Sequence, residues 1–407
     1  MSISSLCRNG TPSASSIAPL AAASTPRLLF VASTHSQGGI ERHSAALAAA
    51  LQGHGVPVWF ACAPGGFVET WCRESDVRTD LFTVKNSGDL GAVLRLARLV
   101  CLHRIDVVHV HSRRDYVVAV LAVALARRVF EQRAALVLHA HMIRSLGGSS
   151  PLSARFFERG TDAVVAVSEA VSAHLLRRHP RCSKIIHVIP NGVDLAQFAR
   201  PGSSEAARQR ISARQELGIS EDALVLGVIG RLDAKGQRQL LAVVPKLRTL
   251  CPNIFLVLVG SEGKPGEQTT LTAQAETGGF ADRLVFTGPR MDIPALLPAF
   301  DVLVHLPTDE AFGLALAEAM AAGLPTVASA VGGCREVVQD GVTGILVAPH
   351  DPDALLAALA SLLDPNRGAA VRAEMGAAGF ARAQDLSQER QVEHLLALYQ
   401  EICPALV

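Results

Sequence analysis

Two doubly wound parallel α/β sheets are the fold this 407-residue sequence predicts. Three observations lead there. Short β-branched runs alternate with Ala/Leu/Arg-rich helical stretches along most of the chain, the pattern of repeated βαβ units. The length exceeds what one hydrophobic core usually holds, so two domains are expected. Apolar residues make up 49% of the chain and aromatic ones only 4%, a composition suited to buried strands covered by helices.

Taken in order, residues 1–26 are rich in Ser, Ala and Pro, and their apolar stretch IAPLAAA is interrupted by Pro19. They read as a disordered leader or a misplaced start, with a signal peptide as the alternative. From Arg27 the runs LLFVAS, VPVWFA, DVVHVH, AALVLHA and DAVVAVS are the expected strands of a first domain over 27–200. The stretch VIPNGVDLAQFARPGSSEAARQRISARQELGI holds a Pro-Asn-Gly turn and a Pro-Gly-Ser-Ser loop, which places the boundary near 195–205. A second series, ALVLGVIG, IFLVLVG, RLVFTG, DVLVHL, PTVASA and TGILVAP, builds a second domain over 201–385. The last helix, QERQVEHLLALYQEI within 386–407, has helical apolar spacing and is expected, by fold analogy, to pack back across the first domain.

Several function classes recede at this stage. The longest uncharged apolar run reaches only from Val117 to Ala126, well short of the ~20 residues that cross a bilayer. Eight cysteines show no CxxC or metal-like spacing and fit a reducing cytoplasm. The net charge is +1, but basic residues concentrate in the first 200 positions and acidic ones in the rest. That asymmetry reads either as solvated Arg-rich helix faces such as LRLARLVCLHR or as attraction to an anionic membrane or a phosphate-bearing acceptor.

The chemistry-bearing residues lie where strands run into helices. In STHSQGGIERH the paired glycines Gly38 and Gly39 let backbone N–H groups approach an anion at a helix N-terminus, or serve only as a tight turn. The run does not match GxGxxG, and VPVWFACAPGG ends its strand without an acidic residue, which weighs against an NAD-dependent oxidoreductase. In GVIGRLDAKGQRQLL, Arg231 and Lys235 follow a strand and precede a helix, where two cations clamp a diphosphate or simply face solvent. In DVLVHLPTDEAFGLALAEAMAAGLP a strand leads to Glu310 and to a helix expected to start between Ala311 and Leu314. The N–H groups of Phe312, Gly313 and Leu314 would point at a phosphate there, and Glu318, two turns further, sits in a stripe of Leu, Ala and Met.

Together these runs resemble glycosyltransferase family 4, retaining enzymes of the GT-B fold that use a nucleotide-activated sugar. The resemblance covers Arg27 to about Tyr399 and rests on GGIERH, DVVHVHS, VVAVSEAV, VIPNGVD, GRLDAKG, VFTG, the E-x7-E run from Glu310 to Glu318, AAGLPTVAS and VGGCREVVQDGVTGILV in this order. It implies two Rossmann-like domains facing across a cleft. Glu318 would bind the donor ribose, Glu310 with the amides of Phe312, Gly313 and Leu314 would hold the sugar and phosphates, and Arg231 and Lys235 would stabilise the leaving diphosphate. Gly38 and Gly39 would approach that diphosphate as well. His141 in LVLHAHM resembles the family histidine that touches the transferred sugar, with His139 on the same strand face as the alternative. Family members more often place the lysine five positions after the arginine, whereas here it stands four after.

The implied function is retaining, metal-independent hexosyl transfer from a UDP- or GDP-sugar to a glycan or lipid-linked acceptor, without a cofactor and without nucleic acid. The expected setting is cell-envelope polysaccharide, lipopolysaccharide or glycolipid synthesis, in the cytoplasm or peripheral at the inner membrane face. The paired runs His109/His111 and His139/His141 hint at zinc, but no nearby Cys or carboxylate completes a ligand set, so no metal is expected. The alternatives are a nucleotide-sugar epimerase or hydrolase of the same fold, told apart by product formation without an acceptor, and a non-catalytic sugar-nucleotide-binding protein.

Overall fold

The computed structural model describes residues 25–403 apart from 37, 144–145 and 147–150, so the leader expected over 1–26 lies outside the described residues except for its last two positions. The chain divides into two compact units, residues 193–387 forming one and the segments on either side forming the other.

The unit that starts the chain comprises β1 (Leu28–Ala32), α1 (Gly39–Gly53), β2 (Val58–Cys62), α2 (Phe67–Glu74), β3 (Arg78–Leu81), α3 (Leu90–Leu102), β4 (Val107–Val110), α4 (Tyr116–Val129), β5 (Ala135–Ala140), α5 (Pro151–Gly160), β6 (Ala163–Ala166), α6 (Glu169–Arg178) and β7 (Ile186–Val188). The sheet order is β3-β2-β1-β4-β5-β6-β7 and every pair is parallel. Helices cover both faces of such a sheet, which is why β1, β2, β4, β5 and β6 are buried at every position and read as continuous apolar runs. The edges differ. β3 (RTDL) is polar and half-exposed and β7 is only half-buried, as edge strands that must resist pairing with another chain usually are.

The other unit comprises α7 (Ser204–Leu217), β8 (Leu224–Ile229), α8 (Gln237–Leu250), β9 (Ile254–Val259), α9 (Glu267–Thr277), β10 (Leu284–Gly288), α10 (Ile293–Leu296), β11 (Val302–His305), α11 (Leu314–Ala321), β12 (Thr326–Ser329), α12 (Cys334–Val337), β13 (Gly344–Val347), α13 (Pro352–Leu363) and α14 (Gly368–Ala383). Its parallel sheet runs β10-β9-β8-β11-β12-β13. In each sheet the order reverses once, between β1 and β4 and between β8 and β11. The crevice outside the carboxyl ends of the strands at such a reversal is where doubly wound sheets bind ligands. After α14 the chain enters α15 (Gln388–Ile402), whose Val392, Leu395, Leu398 and Tyr399 join the core formed by β1, β2 and α1 of the first-described unit.

One buried cation organises the entry to β11. Arg214 on α7 is 1% exposed and donates to the carbonyls of Ser220, Glu221, Ala223 and Ala299 and to Asp301 Oδ2 at 2.8 Å. Arg210, one turn earlier, donates to Asp301 Oδ1 at 2.7 Å. A planar guanidinium with five donors suits this position, where a lysine would leave carbonyls unmet. Asp301 in turn accepts from Val225 N of β8, so the pair sets the register of β8 against β11 at the sheet reversal. Arg214→Leu leaves Asp301 and four carbonyls short of donors, and is expected to destabilise this unit by about 3–5 kcal/mol. Urea unfolding followed by circular dichroism checks it; a loss below about 1 kcal/mol excludes this role.

Candidate functional site

In the unit of residues 193–387, the chain leaves β8 through Gly230, Arg231, Leu232, Asp233, Ala234 and Lys235 before α8 begins after Gly236. The loop is tight because its glycines allow it. Gly230 has φ +132°, and a Cβ there would lie 2.8 Å from Lys235 Cγ, so the lysine stem runs directly over the glycine. Gly236, at φ +76°, lies so close to Leu306 that a Cβ would meet its carbonyl oxygen at 2.5 Å. Buried Gln237 stitches the turn, donating from Nε2 to the Arg231 carbonyl at 2.9 Å and accepting from Lys235 N at 3.0 Å. Leu306 N donates to the Lys235 carbonyl, which binds the loop to the end of β11.

These constraints deliver the Lys235 ammonium to Glu310 Oε2 at 2.5 Å. The same oxygen accepts from His305 Nε2 at 2.8 Å. The cation four positions after Arg231 is therefore paired with the carboxylate of the next loop, while Arg231 is exposed, with Nε 3.3 Å from Asp233. Burial pushes the Glu310 carboxyl up, but the His305 N–H and the Lys235 charge outweigh it and hold the group well below the usual carboxylate range. Burial lowers His305, so it is the neutral imidazole with its proton on Nε2 that donates. Its Nδ1 has no partner among the described residues, as a bare lone pair.

Beyond Glu310 the backbone is braced from behind. Gly333 N donates to the Glu310 carbonyl at 2.9 Å, and a Cβ on Gly333 would strike the Ala311 carbonyl oxygen at 2.4 Å. The helix α11 begins at Leu314 with Gly313 as N-cap at φ +97°, so Glu310 precedes the helix and Glu318 lies on it, half-buried. Phe312 is buried, and the first N–H groups of α11 are without intrahelical partners, as in any helix.

In the unit that starts the chain, a cavity of about 620 Å³ opens at the carboxyl ends of β4 and β5, lined among others by Glu41, His111, Arg113, Arg114, Tyr116 and His141. Asp115, fully buried, accepts from Ser33 N at 2.9 Å and from Ser33 Oγ, tying the end of β1 to the start of α4. Tyr116 Oη donates to the His139 carbonyl at 2.6 Å and so fixes the end of β5. His141 lines the cavity and is half-buried, whereas His139, its ring stacked against that of His141, is fully buried in the sheet. At α1 the arrangement differs from a free anion cradle. The Glu41 carboxylate folds back so that a Cβ on Gly38 would lie 2.9 Å from its Oε2, and Gly39 has open space around it.

The four strand histidines form an array. His109 Nε2 meets His139 Nδ1 at 3.1 Å and His111 Nδ1 meets His141 Nε2 at 3.1 Å. The two pairs stack, with ring centroids 4.6 Å apart for His109 and His111 and 4.0 Å for His139 and His141. At the inner end, His109 Nδ1 meets Tyr399 Oη of α15 at 2.5 Å. Burial lowers the pKa of every member: His109 to about 3, with His43 nearby adding to the effect, and His111, His139 and His141 well below the usual value. His43 on α1 is lowered to about 4 by burial alone. Ligand nitrogens of His109, His111 and His139 lie within 4.8 Å of one another, the one grouping of metal-ligand type among the described residues. The His109 and His139 nitrogens are joined to each other by a hydrogen bond, and no carboxylate belongs to the group to offset a cation's charge.

His305 and Gln237 escape a reading of the sequence that looks for acids and cations. The signal for His305 is a polar residue closing an apolar strand, VLVH, at its carboxyl end.

A chain of two doubly wound parallel α/β sheets, with a Lys–Glu–His constellation at one sheet reversal and a ligand-sized cavity at the other, has the architecture of the GT-B type. Family models agree with this: "Glycosyltransferase Family 4" matches residues 37–197 and "Glycosyl transferases group 1" matches 209–382. The chain belongs to glycosyltransferase family 4. It is 34% identical over 249 residues to a D-inositol 3-phosphate glycosyltransferase of Salinispora tropica, a match covering 59% of this chain and 51% of that protein. The chain thus spans about half the length of the curated relatives it matches. Among solved structures it resembles HepE of Anabaena in complex with UDP and glucose (TM-score 0.78, 24% identity, 92% of this chain and 100% of that one). A glycosyltransferase of Rickettsia africae gives a TM-score of 0.80 at 20% identity, over 93% and 98% of the two chains. At these identities the likeness establishes the fold.

The neutral array predicts acid lability. His43 and His109 take up protons near pH 6.5 when unfolded but only near 4 and 3 when folded. Their contribution is fully present above pH 6.5 and is lost as pH falls through 6.5 toward those values, by up to about 1.4 kcal/mol per pH unit for each. The urea midpoint of the unit containing them is expected to be level from pH 8 to 7 and to drop between 6.5 and 4.5. A midpoint that stays flat down to pH 5 would exclude the buried neutral form.

Proposed function

We propose that the protein is a retaining, metal-independent glycosyltransferase that moves a hexose from a nucleotide-sugar donor, UDP-linked before GDP-linked, to a hydroxyl of a glycan or lipid-linked acceptor. The observation that carries this reading is Glu310, held ionised by Lys235 and His305 at the N-terminal side of α11. An ionised carboxylate accepts hydrogen bonds from sugar hydroxyls, and the start of α11 with Arg231 offers positive potential for phosphates. Glu318, on α11, is the ribose partner. The Anabaena protein's complex with UDP and glucose and the relatives' names support a sugar-nucleotide donor.

In the proposed reaction the bond between the anomeric carbon and the donor phosphate breaks, and its electron pair leaves with the diphosphate. Arg231 takes up that charge together with Lys235, whose three N–H donors allow it to keep Glu310 while meeting a phosphate oxygen. The acceptor hydroxyl attacks from the face being vacated, and its proton passes to the leaving phosphate oxygen. A double displacement needs a carboxylate nucleophile at the anomeric carbon; Glu310, with Oε2 held by Lys235 and His305, serves in this reading as a hydrogen-bond acceptor for the sugar instead.

No helix of the described residues is long and apolar enough to cross a membrane. Peripheral contact with an anionic membrane, in cell-envelope glycan synthesis, is supported by α3: Leu90, Leu94 and Leu102 are exposed beside Arg95 and Arg98, and the helix contains no acidic residue. Vesicles containing anionic lipid should co-sediment the protein, Leu94→Glu should abolish this, and equal binding to neutral vesicles would remove the electrostatic part.

The decisive experiment is thermal stability against UDP, GDP and ADP with and without magnesium, where saturation at 100 times Kd adds about 2.7 kcal/mol. One nucleotide should stabilise the protein without metal. Arg231→Ala should then lower kcat by about 10²–10³. Glu318→Ala should weaken nucleotide binding by about tenfold or more. Unchanged turnover would remove Arg231 from the clamp, and unchanged affinity would end the ribose assignment.

A further inference from the structure

We infer that His111 is a positioning residue that locks His141 in the tautomer with its proton on Nδ1, so that His141 meets the substrate as a hydrogen-bond donor and never as a base. This rests on the glycosyltransferase reading above, which places His141 beside the transferred sugar.

The protons of the array can be counted. A neutral imidazole carries one N–H and one bare nitrogen, and the bond made by one nitrogen dictates the state of the other. His111 is 1% exposed; its Nδ1 meets His141 Nε2 at 3.1 Å, and its Nε2 has no partner among the described residues. Two arrangements are possible. If His141 donates, His111 must carry its proton on Nε2, and a buried N–H is orphaned. If His111 donates from Nδ1, the orphan is a bare lone pair, the kind of unsatisfied group interiors tolerate better. The second arrangement leaves His141 accepting on Nε2. Its proton then sits on Nδ1, and because the half-buried ring lines the 620 Å³ cavity and its Nε2 is taken by His111, that N–H is the donor left for a ligand.

The neighbouring pair obeys the same rule. His139 Nε2 is likewise buried without a partner among the described residues, so His139 donates from Nδ1 to His109 Nε2, and His109 donates from Nδ1 to Tyr399 Oη at 2.5 Å. His43 is set from outside the array. Gln391 Oε1 accepts from Gly192 N at 2.9 Å, which turns its amide nitrogen toward His43 Nε2 at 3.1 Å and leaves the His43 proton on Nδ1. Five imidazoles reach one common state from separate hydrogen bonds.

The chemical consequence is definite. A His141 already protonated at the ring nitrogen that His111 leaves free donates to a hydroxyl or ring oxygen of the sugar and has no lone pair there to receive the acceptor's proton. That proton goes to the leaving phosphate oxygen instead.

The test is the tautomer itself. In protein labelled with ¹⁵N in the histidine rings, long-range ¹H–¹⁵N correlation separates protonated from bare ring nitrogens, and the His141 signals are identified by their loss in His141→Gln. The expected pattern is a protonated Nδ1 and a bare Nε2 for both His111 and His141. In His111→Asn the amide N–H replaces the Nδ1 donor, so the His141 pattern persists and kcat stays within about threefold. In His111→Leu, of similar bulk, the pattern shifts toward Nε2–H and kcat falls about tenfold or more while UDP affinity is unchanged. A wild-type His141 protonated on Nε2, or a His111→Leu variant that keeps both the Nδ1–H pattern and full kcat, overturns the inference. Failure of the wild type to bind any nucleotide overturns the underlying reading separately, because the ring spectra need no substrate.

Discussion

A charged or polar group carried into the interior of a parallel sheet must find its complement within hydrogen-bonding reach, and this constraint organises both units. Helices cover the two faces of such a sheet and leave little water to screen a charge. Three solutions occur. Arg214 is neutralised by Asp301 at the start of β11, and four backbone carbonyls accept its other N–H bonds. Lys235 is neutralised by Glu310 at the end of the same strand. The histidines in and just after β4 and β5 take the third course and stay uncharged, each sharing a single proton with one neighbour.

Function follows from where these solutions meet the carboxyl ends of the strands. There the pairing that satisfies the interior also presents chemistry outward: Glu310 remains an ionised acceptor because Lys235 and His305 hold it so. Close backbone approach makes this geometry possible. Gly230 accommodates the lysine stem and Gly333 lets one loop lie against Ala311, where any side chain would push the carboxylate out of position. The histidine array performs the same double duty on the other sheet, its buried members fixing the orientation of His141 at the cavity wall.

Much of the architecture was legible before any coordinate. All six strands of the second sheet, and the five central strands of the first, announce themselves as apolar β-branched runs; burial on both faces demands that composition of the central ones, and the half-buried edge strands β10 and β13 share it. The edge strand RTDL carries no such signature, because solvent on one side removes the demand. At the site, Arg231, Lys235, Glu310 and Glu318 stand out by charge in apolar surroundings. His305 and Gln237 do not, because a single uncharged polar residue at a strand end or helix start is common and its local partners show no pattern of their own; the pairing of Lys235 with Glu310 escapes as well, because it spans 75 positions.

By itself the sequence determined the fold class, the alternation of strands and helices, and which loops carry charge, since these depend on local periodicity and composition. Only the tertiary structure decided the partners. Whether Lys235 faces Arg231's ligand or Glu310, whether His139 or His141 reaches the cavity, and which ring nitrogen holds each proton all turn on distances between residues that the chain keeps far apart. Hydrogen bonds and ion pairs act over about 3 Å, and only the packed sheet brings the groups that close.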